Sequence, residues 1–310
     1  MLTNSVVTRN QEVLLPVLEE KGIQLFIKRE DEIHPFVSGN KFRKLKYNVK
    51  EAKNLKVETL LTFGGAYSNH IAATASFAQL AGLNSIGIIR GDELAINLKE
   101  VLQTNLTLKH AHKNGMHFKF VSREVYRNKT AASFIDSLKD EFGEFYLIPE
   151  GGTNELAIRG CEEILTSEDE KFNYICCAIG TGGTISGLIN SAYSGQKIIG
   201  FPALKGDFLI NEIINLSNRN NNWNIESKYH FGGYGKFNDE LITFINQFKD
   251  ATGILLDPIY TGKMMFGLLD MISKNKFKRG SKIIAIHTGG LQGITGINER
   301  LKKKKKPLIK

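Results

Sequence analysis

The segment Tyr174–Leu188, which reads YICCAIGTGGTISGL, carries the strongest local signal for the fold. Its first six residues are apolar and predict a short strand that is covered on both faces. A glycine-rich segment follows at once, and Ile185 and Leu188 then show the spacing of a helix. A strand that passes through a glycine loop into a helix leaves several backbone N–H groups free to bind an anion.

The loop itself does not follow either of two common phosphate-binding patterns. The spacing of a dinucleotide-binding G-x-G-x-x-G is absent, and no Gly-Lys-Ser/Thr follows as it would in a P-loop. Two threonine hydroxyls add hydrogen-bond donors to the backbone N–H groups. We therefore predict that this loop binds one compact phosphate monoester, with a plain tight turn as the alternative; the residues concerned are Gly180, Thr181, Gly182, Gly183 and Thr184.

Short apolar runs alternate with helical patterns along most of the chain. The predicted strands are Leu60–Phe63, Ser85–Ile89, Phe118–Val121, Phe145–Ile148, Tyr174–Ile179, Ile198–Phe201 and Ile283–His287. The predicted helices are Phe42–Lys56, His70–Leu80, Leu98–Lys113, Ala131–Phe142, Asn154–Ser167, Asp239–Ala251 and Met264–Lys274. This alternation predicts α/β architecture with open parallel sheets built from right-handed βαβ units. Five glycine clusters at strand ends suggest several loops that converge on one ligand site, with tight turns as the alternative: Gly64-Gly65, Gly151-Gly152, Gly180-Gly182-Gly183, Gly232-Gly233 and Gly289-Gly290.

Composition excludes several classes of protein. The chain has 310 residues, of which 42% are apolar and 24% charged, which suits one large or two smaller globular domains rather than disorder, collagen or a coiled coil. Its apolar runs are far shorter than the roughly 18 residues of a membrane span, and its first residues do not resemble a signal peptide. The three cysteines do not form a disulfide framework, and we therefore expect a reducing cytoplasm; they are Cys161, Cys176 and Cys177.

The net charge of +9 is concentrated at the C-terminus. Lys302–Lys306 and Lys310 supply six of these charges and leave +3 for the rest of the chain. A terminal basic run is usually a solvated tail, and contact with a polyanion is the alternative. Aromatic residues do not interleave with basic ones along one face, so we expect neither a nucleic-acid nor a membrane partner.

A lysine pair follows a Gly-Asn step in the segment SGNKFRKL at Ser38–Leu45. If a helix begins near Phe42, Lys41 and Lys44 project towards the same region. A lysine beside another cation has a lowered pKa, as a Schiff-base amine requires. A lysine-rich helix start is more often a solvated face, but a lysine together with a phosphate loop is what pyridoxal phosphate needs.

Three further segments carry candidate polar groups. In FGGAYSNH, which ends at His70, Ser68 and Asn69 with the first N–H groups of a helix predict a site for a carboxylate or phenolate oxygen, or a simple helix cap. Near the C-terminus, DPIYTGK begins at Asp257 and HTGG begins at His287. Each of these reads alone as a capped turn.

Taken in order, these motifs resemble the family of 1-aminocyclopropane-1-carboxylate deaminase and D-cysteine desulfhydrase. The matching stretches are SGNKFRKLKY, FGGAYSNH, IPEGGTNELA, GTGGTISGL, LLDPIYTGK and HTGG, which together run from Ser38 to Gly290. Members of this family are pyridoxal-phosphate enzymes of the tryptophan-synthase-β fold, also called fold type II. The resemblance implies pyridoxal 5'-phosphate as cofactor, a small amino acid as substrate, no metal, and a homodimer.

The resemblance also implies roles for single residues. Lys41 matches the lysine that forms the Schiff base and moves the Cα proton, and Lys44 matches a lysine near the cofactor phosphate. Ser68 matches the serine at the substrate carboxylate, and Asn69 the asparagine beside the phenolic oxygen. The remaining matches are an active-site tyrosine, Tyr260, the phosphate loop Gly180–Thr184, and two residues around the pyridine nitrogen, Thr261 and Thr288.

Two positions depart from the pattern of the deaminases. They have DPVYEG, whose glutamate keeps the pyridine nitrogen protonated, whereas this chain has Thr261, as the D-cysteine desulfhydrases do. A neutral ring is a weaker electron sink, which suffices to remove the Cα proton and expel a thiolate from Cβ. The second departure is Tyr67, which replaces a glutamine and leaves the exact substrate open.

We therefore expect two α/β domains, each with three layers: a large cofactor-binding domain from residues 1–41 and 151–310, and a small inserted domain at 42–150. The favoured reaction is β-elimination on D-cysteine or a related β-substituted D-amino acid, which gives pyruvate, ammonia and sulfide. Deamination of the cyclopropane amino acid to α-ketobutyrate is the enzymatic alternative. A protein that binds the cofactor or an amino acid without turnover, and a basic protein that contacts polyanions, are the non-enzymatic ones.

Overall fold

A computed structural model describes residues 6–206, 208–218 and 221–310 of the chain. The strands are β1 (Asn10–Val13), β2 (Gln24–Lys28), β3 (Thr59–Gly65), β4 (Asn84–Arg90), β5 (Met116–Val121), β6 (Tyr146–Ile148), β7 (Tyr174–Ile179), β8 (Lys197–Pro202), β9 (Trp223–Ile225) and β10 (Lys282–Ile286). The α-helices are α1 (Pro16–Lys21), α2 (Asn40–Asn54), α3 (Asn69–Ala81), α4 (Leu98–Thr104), α5 (Leu106–Lys113), α6 (Arg123–Arg127), α7 (Ala132–Phe142), α8 (Glu155–Glu162), α9 (Gly183–Ser191), α10 (Phe208–Leu216), α11 (Asp239–Thr252), α12 (Thr261–Ser273) and α13 (Gly293–Lys303).

Six strands form the larger sheet, in the order β1-β2-β10-β7-β8-β9. All neighbours in this sheet are parallel except β1 and β2, which pair antiparallel at one edge. Side chains of β7 alternate between two cores, so that Cys176 packs with α1, α11, α12 and α13 while Cys177 packs with α8, α9 and α10. The sheet is therefore the middle of three layers, which explains the uniformly apolar sequence of β7.

Four strands form the smaller sheet, in the order β5-β4-β3-β6, and all of its pairs are parallel. Leu60 on one face of β3 packs with α2 and α3, whereas Leu61 on the other face packs with α6 and α7. This sheet too is covered on both faces. The predicted fold class, α/β with two open parallel sheets in three layers, is confirmed, apart from the antiparallel edge strand β1.

Each of the seven predicted strands coincides with a strand of the structure, but β1, β2 and β9 were not predicted. The predicted helix Leu98–Lys113 is two helices, which are divided at Asn105. The predicted helix Asn154–Ser167 ends as an α-helix at Glu162, and a 3-10 turn follows at Ser167–Asp169. The division into domains at residues 42 and 150 stays a prediction.

The basic C-terminus is folded against the protein. Lys302–Lys306 are exposed, as expected for a solvated run, but α13 includes the first two of them. Lys306 pairs with Asp239 at 2.6 Å, and Ile309 is only 4% exposed in the core beside α11 and α13. No helix of the described chain is both long enough and apolar enough to cross a membrane.

Candidate active site

A cavity of about 420 Å³ opens where the carboxyl ends of strands from both sheets meet. The smaller sheet contributes the loops after β3 and β6 and the last residue of β4, and the larger sheet contributes the loops after β7, β8 and β10; the start of α2 also lines the cavity. Ligands of open α/β sheets bind at such an edge because the loops there leave backbone groups free. Four of the five glycine clusters predicted at strand ends contribute residues to the lining: Gly65, Gly151, Gly180 with Gly182, and Gly289 with Gly290.

The glycine loop after β7 provides the anion-binding end of the cavity. Gly182 has a φ of 85°, and α9 begins at Gly183, so the first N–H groups of this helix are free to bind a negative charge. A Cβ on Gly183 would lie 3.1 Å from Nζ of Lys44 and 2.9 Å from the side chain of Thr153. Glycine at this position therefore lets a lysine and a threonine approach the loop closely.

Lys41 and Lys44 converge on one backbone carbonyl. Their Nζ atoms donate to the oxygen of Gly151 at 3.1 and 3.2 Å, and Lys44 also donates to Oγ1 of Thr153 at 2.8 Å and of Thr181 at 3.3 Å. No described carboxylate pairs with either ammonium. Burial lowers the pKa of Lys41 well below its usual value, and the charge of Lys44 lowers it further. Burial also lowers the pKa of Lys44.

The start of α3 faces the same cavity. Ser68 caps this helix by accepting a hydrogen bond from the backbone N–H of Ile71, as the cap interpretation predicted. Oδ1 of Asn69 is buried and has no hydrogen-bond partner among the described residues. His70 lies behind it, with Nε2 2.8 Å from Oγ1 of Thr62. Its pKa is held well below the usual value, mainly by burial and also by Lys41 and Lys44.

The segment from Asp257 to Thr261 shapes the opposite wall. The carboxylate of Asp257 accepts hydrogen bonds from the backbone N–H groups of Ile259, Tyr260 and Thr261 and from the hydroxyl of Thr261, all at 2.8–2.9 Å. The same hydroxyl accepts a hydrogen bond from the N–H of Asp257 at 3.0 Å. Tyr260 lines the cavity, and burial raises the pKa of its phenol well above the usual value.

The structure brings ten of the twelve predicted site residues to the cavity lining. They are Lys41, Lys44, Ser68, Asn69, Gly180, Thr181, Gly182, Thr184, Tyr260 and Thr288. Gly183 lies directly behind the lining, at the start of α9. Thr261 is fully buried, and its hydroxyl is engaged with Asp257 rather than open to the cavity. Thr288 lines the cavity and its hydroxyl forms no hydrogen bond with the described residues.

Sequence reasoning missed several lining residues, and three of them have polar or aromatic side chains that bear on the site. Asn40 holds the loop side chain Thr184 through a 2.8 Å hydrogen bond from Nδ2 to Oγ1. Arg90 ends β4 at the rim of the cavity. Tyr234 stands with its ring edge towards Tyr260, at 6.2 Å between ring centroids. The Gly232-Gly233 pair in front of Tyr234 was the available signal, because it marked the loop without indicating which neighbour faces the site.

Pyridoxal phosphate fits the groups that are present. Two buried lysines without a paired carboxylate need an anion, which a phosphate at the N-terminus of α9 would supply. The orphaned oxygen of Asn69 and the free hydroxyl of Thr288 are further polar groups that await a partner. Glu150 is the one carboxylate among the described residues of the lining, and its partner Lys129 lies 3.2 Å away.

Comparison with known proteins agrees with this fit. The family model for pyridoxal-phosphate dependent enzymes matches residues 8–289. An Arabidopsis thaliana protein named bifunctional D-cysteine desulfhydrase/1-aminocyclopropane-1-carboxylate deaminase, mitochondrial, is 33% identical over 297 residues, which cover 88% of this chain and 74% of the relative. A D-cysteine desulfhydrase of Klebsiella pneumoniae subsp. pneumoniae is 26% identical over 323 residues and 94% of each chain. A crystal structure described as an ACC deaminase homologue superposes with a TM-score of 0.81 at 28% identity, over 97% of this chain and 95% of the other.

Proposed function

Since the chain belongs to the family of pyridoxal-phosphate dependent enzymes, we propose that it converts D-cysteine or a related β-substituted D-amino acid to pyruvate, ammonia and, from D-cysteine, sulfide. The names of the Arabidopsis and Klebsiella relatives support this substrate class. The observation that carries the choice of reaction is the neutral, fully engaged hydroxyl of Thr261.

In this proposal the cofactor is held at both ends of the cavity. Lys44, Thr181 and the first N–H groups of α9 would bind its phosphate, Asn69 would contact the phenolic oxygen, and Thr288 would lie near the ring nitrogen. When bound, pyridoxal phosphate supplies a conjugated ring that accepts electrons from the bonds broken at Cα of an amino acid.

The chain's own residues bind the substrate and move its proton. Burial and the charge of Lys44 lower the pKa of Lys41 and so favour its neutral amine, whose Nζ accepts the proton from Cα. Ser68 and the N-terminus of α3 bind the substrate carboxylate, because the helix presents its positive end there. Tyr260 and Tyr234 form another part of the cavity wall and hold the substrate Cα close to Nζ of Lys41.

Elimination is favoured over cyclopropane opening by the charges around the cavity. Opening the ring needs a strong electron sink, for which a carboxyl group beside the pyridine nitrogen is the usual support. Thr261 stands where that group would be, and Asp257 is saturated by four hydrogen bonds. Expulsion of a thiolate from Cβ demands less of the ring, since the leaving group takes the electrons with it.

The test is a comparison of three substrates on protein loaded with pyridoxal phosphate. D-cysteine, L-cysteine and 1-aminocyclopropane-1-carboxylate are assayed for pyruvate and α-ketobutyrate. We expect an absorbance band at ~410–430 nm, which is typical of pyridoxal phosphate bound covalently to a lysine. We also expect pyruvate from D-cysteine. Lys41→Ala should lose both, whereas Lys50→Ala, an exposed lysine on the same helix, should keep both.

Other outcomes have equally direct meanings. Production of α-ketobutyrate from the cyclopropane substrate, with no pyruvate from D-cysteine, would overturn the argument from Thr261. A band without turnover of any of the three substrates would favour a binding protein.

We also propose that the enzyme acts as a homodimer in the cytoplasm and that residues 42–150 form its smaller domain. The family resemblance supports the dimer, and three buried, unpaired cysteines are compatible with a reducing compartment. The four-stranded sheet at Thr59–Ile148 supports the domain assignment.

A further inference from the structure

Lys263 is the buried lysine at the end of the DPIYTGK motif, and it has no part in the proposed reaction. It is 1% exposed, and its Nζ donates to the carbonyl oxygens of His230 at 2.9 Å and Gly233 at 2.8 Å. No described carboxylate pairs with it. A buried ammonium that bonds only to backbone carbonyls carries a desolvation penalty, so its presence calls for a reason beyond packing.

The two carbonyl groups that accept from Lys263 each begin a turn, and the two turns follow each other in the chain. The N–H of Gly233 donates to the carbonyl of His230 at 3.0 Å, and the N–H of Lys236 donates to the carbonyl of Gly233 at 3.1 Å. Each of these two carbonyl oxygens therefore accepts both the N–H that closes its turn and Nζ of Lys263, which links the two turns. Tyr234, which lines the cavity, lies inside the second turn.

The segment His230–Lys236, which we call the Tyr234 loop, has an unfavourable backbone. Phe231 has a φ of 52°, a conformation that side-chain-bearing residues rarely adopt, and Gly232, Gly233 and Gly235 have φ values of 89°, 109° and 65°. The strain lies at Phe231, since glycine adopts such angles freely. Three glycines within four residues leave the loop many alternative conformations, so contacts with other elements select this one.

One face of α12 provides those contacts. Phe266 meets the ring of Phe231 edge to face at 5.1 Å, and Asp270 accepts a hydrogen bond from the hydroxyl of Tyr229 at 2.7 Å. Together with Lys263 these residues follow the i, i+3, i+7 spacing of one helix face. The same helix begins directly after Tyr260, so α12 relates the two tyrosines of the cavity wall to each other.

We propose that Lys263 is a positioning residue that fixes the Tyr234 loop on α12 and thereby sets Tyr234 against Tyr260 at the substrate end of the cavity. Burial lowers the pKa of Lys263 to about 8, against the opposing effect of Asp257, so the amine is still mainly charged near pH 7. A charged donor strengthens both bonds to the turns.

The first test is hydrogen exchange on protein with pyridoxal phosphate and without substrate. Lys263→Met keeps the apolar stem and removes the donor. We expect faster exchange at the N–H groups of Gly233 and Lys236 than in the wild type, with α11 unchanged. Lys276→Met, which removes an exposed lysine beyond α12, is the control and should change neither. Unchanged protection of the loop in Lys263→Met would overturn the proposal.

The second test is a double-mutant cycle on kcat/KM, which rests on the proposed function because it needs a substrate that is turned over. If Lys263 acts through Tyr234, Lys263→Met lowers kcat/KM about tenfold in the wild type, as expected for the loss of a charge-assisted bond, and has little effect in a Tyr234→Ala background. Equal losses in both backgrounds would contradict the proposal.

The two tests distinguish failure of the proposed function from failure of the proposal for Lys263. Absence of turnover with D-cysteine refutes the proposed substrate and leaves the exchange result to decide on Lys263. Should Lys263→Met fail to fold, Lys263→Gln, which has an amide donor of shorter reach and no charge, carries the same two comparisons.

Discussion

The behaviour of Lys41 is set by its neighbours rather than by its own sequence position. Gly39, with a φ of 65°, lets the chain pass against the backbone of Thr288, where a Cβ would overlap the carbonyl oxygen. The helix α2 can therefore begin inside the cavity and place two lysines on the carbonyl of Gly151. Sequence indicated the pair, but the shared acceptor depends on a loop more than one hundred residues away.

The buried imidazole of His70 predicts a pH dependence of stability. Its pKa is well below the usual 6.5 in the folded protein, so the unfolded chain takes up a proton near pH 6.5 while the folded chain does not. Stability is thus fully present above pH 6.5 and is lost as the pH falls towards the folded pKa, at about 1.4 kcal/mol per pH unit. Denaturant unfolding of cofactor-free protein between pH 7 and 5 measures this slope.

His70→Gln is the comparison for this effect. It lowers stability at pH 7 because it disturbs the bond to Thr62, but it should show a shallower slope below pH 6.5. The pKa values of His34 and His110 are also lowered, and these groups contribute equally to both proteins. Identical slopes would mean that His70 is protonated in the folded protein.

At the scale of elements, the start of α12 depends on one carboxylate. Asp257 accepts backbone N–H bonds from Ile259 and Tyr260, which hold the turn before α12, and it caps the helix by accepting from the N–H and the hydroxyl of Thr261. Asp257→Ala should lower the free energy of unfolding by about 2–4 kcal/mol, since charge-assisted bonds and the cap are lost together. It should also lower kcat/KM by displacing Tyr260.

Denaturant unfolding and kinetics of the same preparation check both parts of this prediction. Asp239→Ala, at the exposed start of α11, is a control that removes an acidic residue from a helix N-terminus without touching the cavity. A variant Asp257→Ala with wild-type stability would show that water replaces the cap.

The folded C-terminus predicts a contrast between two neighbouring residues. Ile309 is 4% exposed and Leu308 is 36% exposed. The side-chain amide of Asn298 donates to the carbonyl and accepts from the N–H of Ile309, which holds the segment in place. Ile309→Ala should lower stability by about 2–4 kcal/mol, whereas Leu308→Ala should change it by about 0.5 kcal/mol or less. Thermal and denaturant unfolding distinguish the two, and equal effects would mean that the segment is not packed in solution.

Sequence predicted elements well where local pattern suffices and failed where distant contacts decide. The apolar strands β3, β4, β7, β8 and β10 could be recognised because both of their faces are buried, and the edge strands β5 and β6 because they are short apolar runs between helical patterns. The polar strand β1 exists through its antiparallel register with β2, which local sequence does not show. The break between α4 and α5 likewise depends on Asn105, which caps α5 and also donates to the carbonyl of Ala66 at 3.0 Å.

The candidate site shows the same division. The sequence pattern predicted the glycine loop, Lys41 and Ser68 as site residues, because each lies at the start of a helix. Tyr234 could not be found in this way, since its place depends on Lys263 and Phe266 of a later helix. Thr261 was located correctly in the chain, yet only the bonds to Asp257 show that its hydroxyl is already engaged.

At the scale of the whole molecule, the cavity is a point of electrostatic imbalance between two sheets. Elsewhere several deeply buried charges form ion pairs, such as Lys28–Asp169 at 2.7 Å and Arg43–Glu30 at 2.9 Å, whereas Lys263 bonds only to backbone carbonyls. Lys41 and Lys44 have no such partner in the described chain, and they stand between the loops of both sheets. A bound anion would therefore relieve a penalty that the folded protein carries on its own.

This imbalance predicts that the cofactor stabilises the entire protein. Pyridoxal phosphate should raise the free energy of unfolding by about 2.7 kcal/mol when its free concentration is about 100 times its Kd. Inorganic phosphate should act in the same direction at much higher concentration, because it supplies the anion without the ring. Thermal unfolding at a series of ligand concentrations measures both effects.

Two variants assign the effect to the two ends of the cavity. Lys44→Met should remove the response to inorganic phosphate and weaken the response to pyridoxal phosphate, because Lys44 reaches the loop at Thr181. Lys41→Ala should lose the ~410–430 nm band of a lysine-held cofactor and keep the response to inorganic phosphate. If phosphate stabilised Lys44→Met as strongly as the wild type, the anion would bind outside the cavity, and the loop after β7 would be a turn rather than a phosphate site.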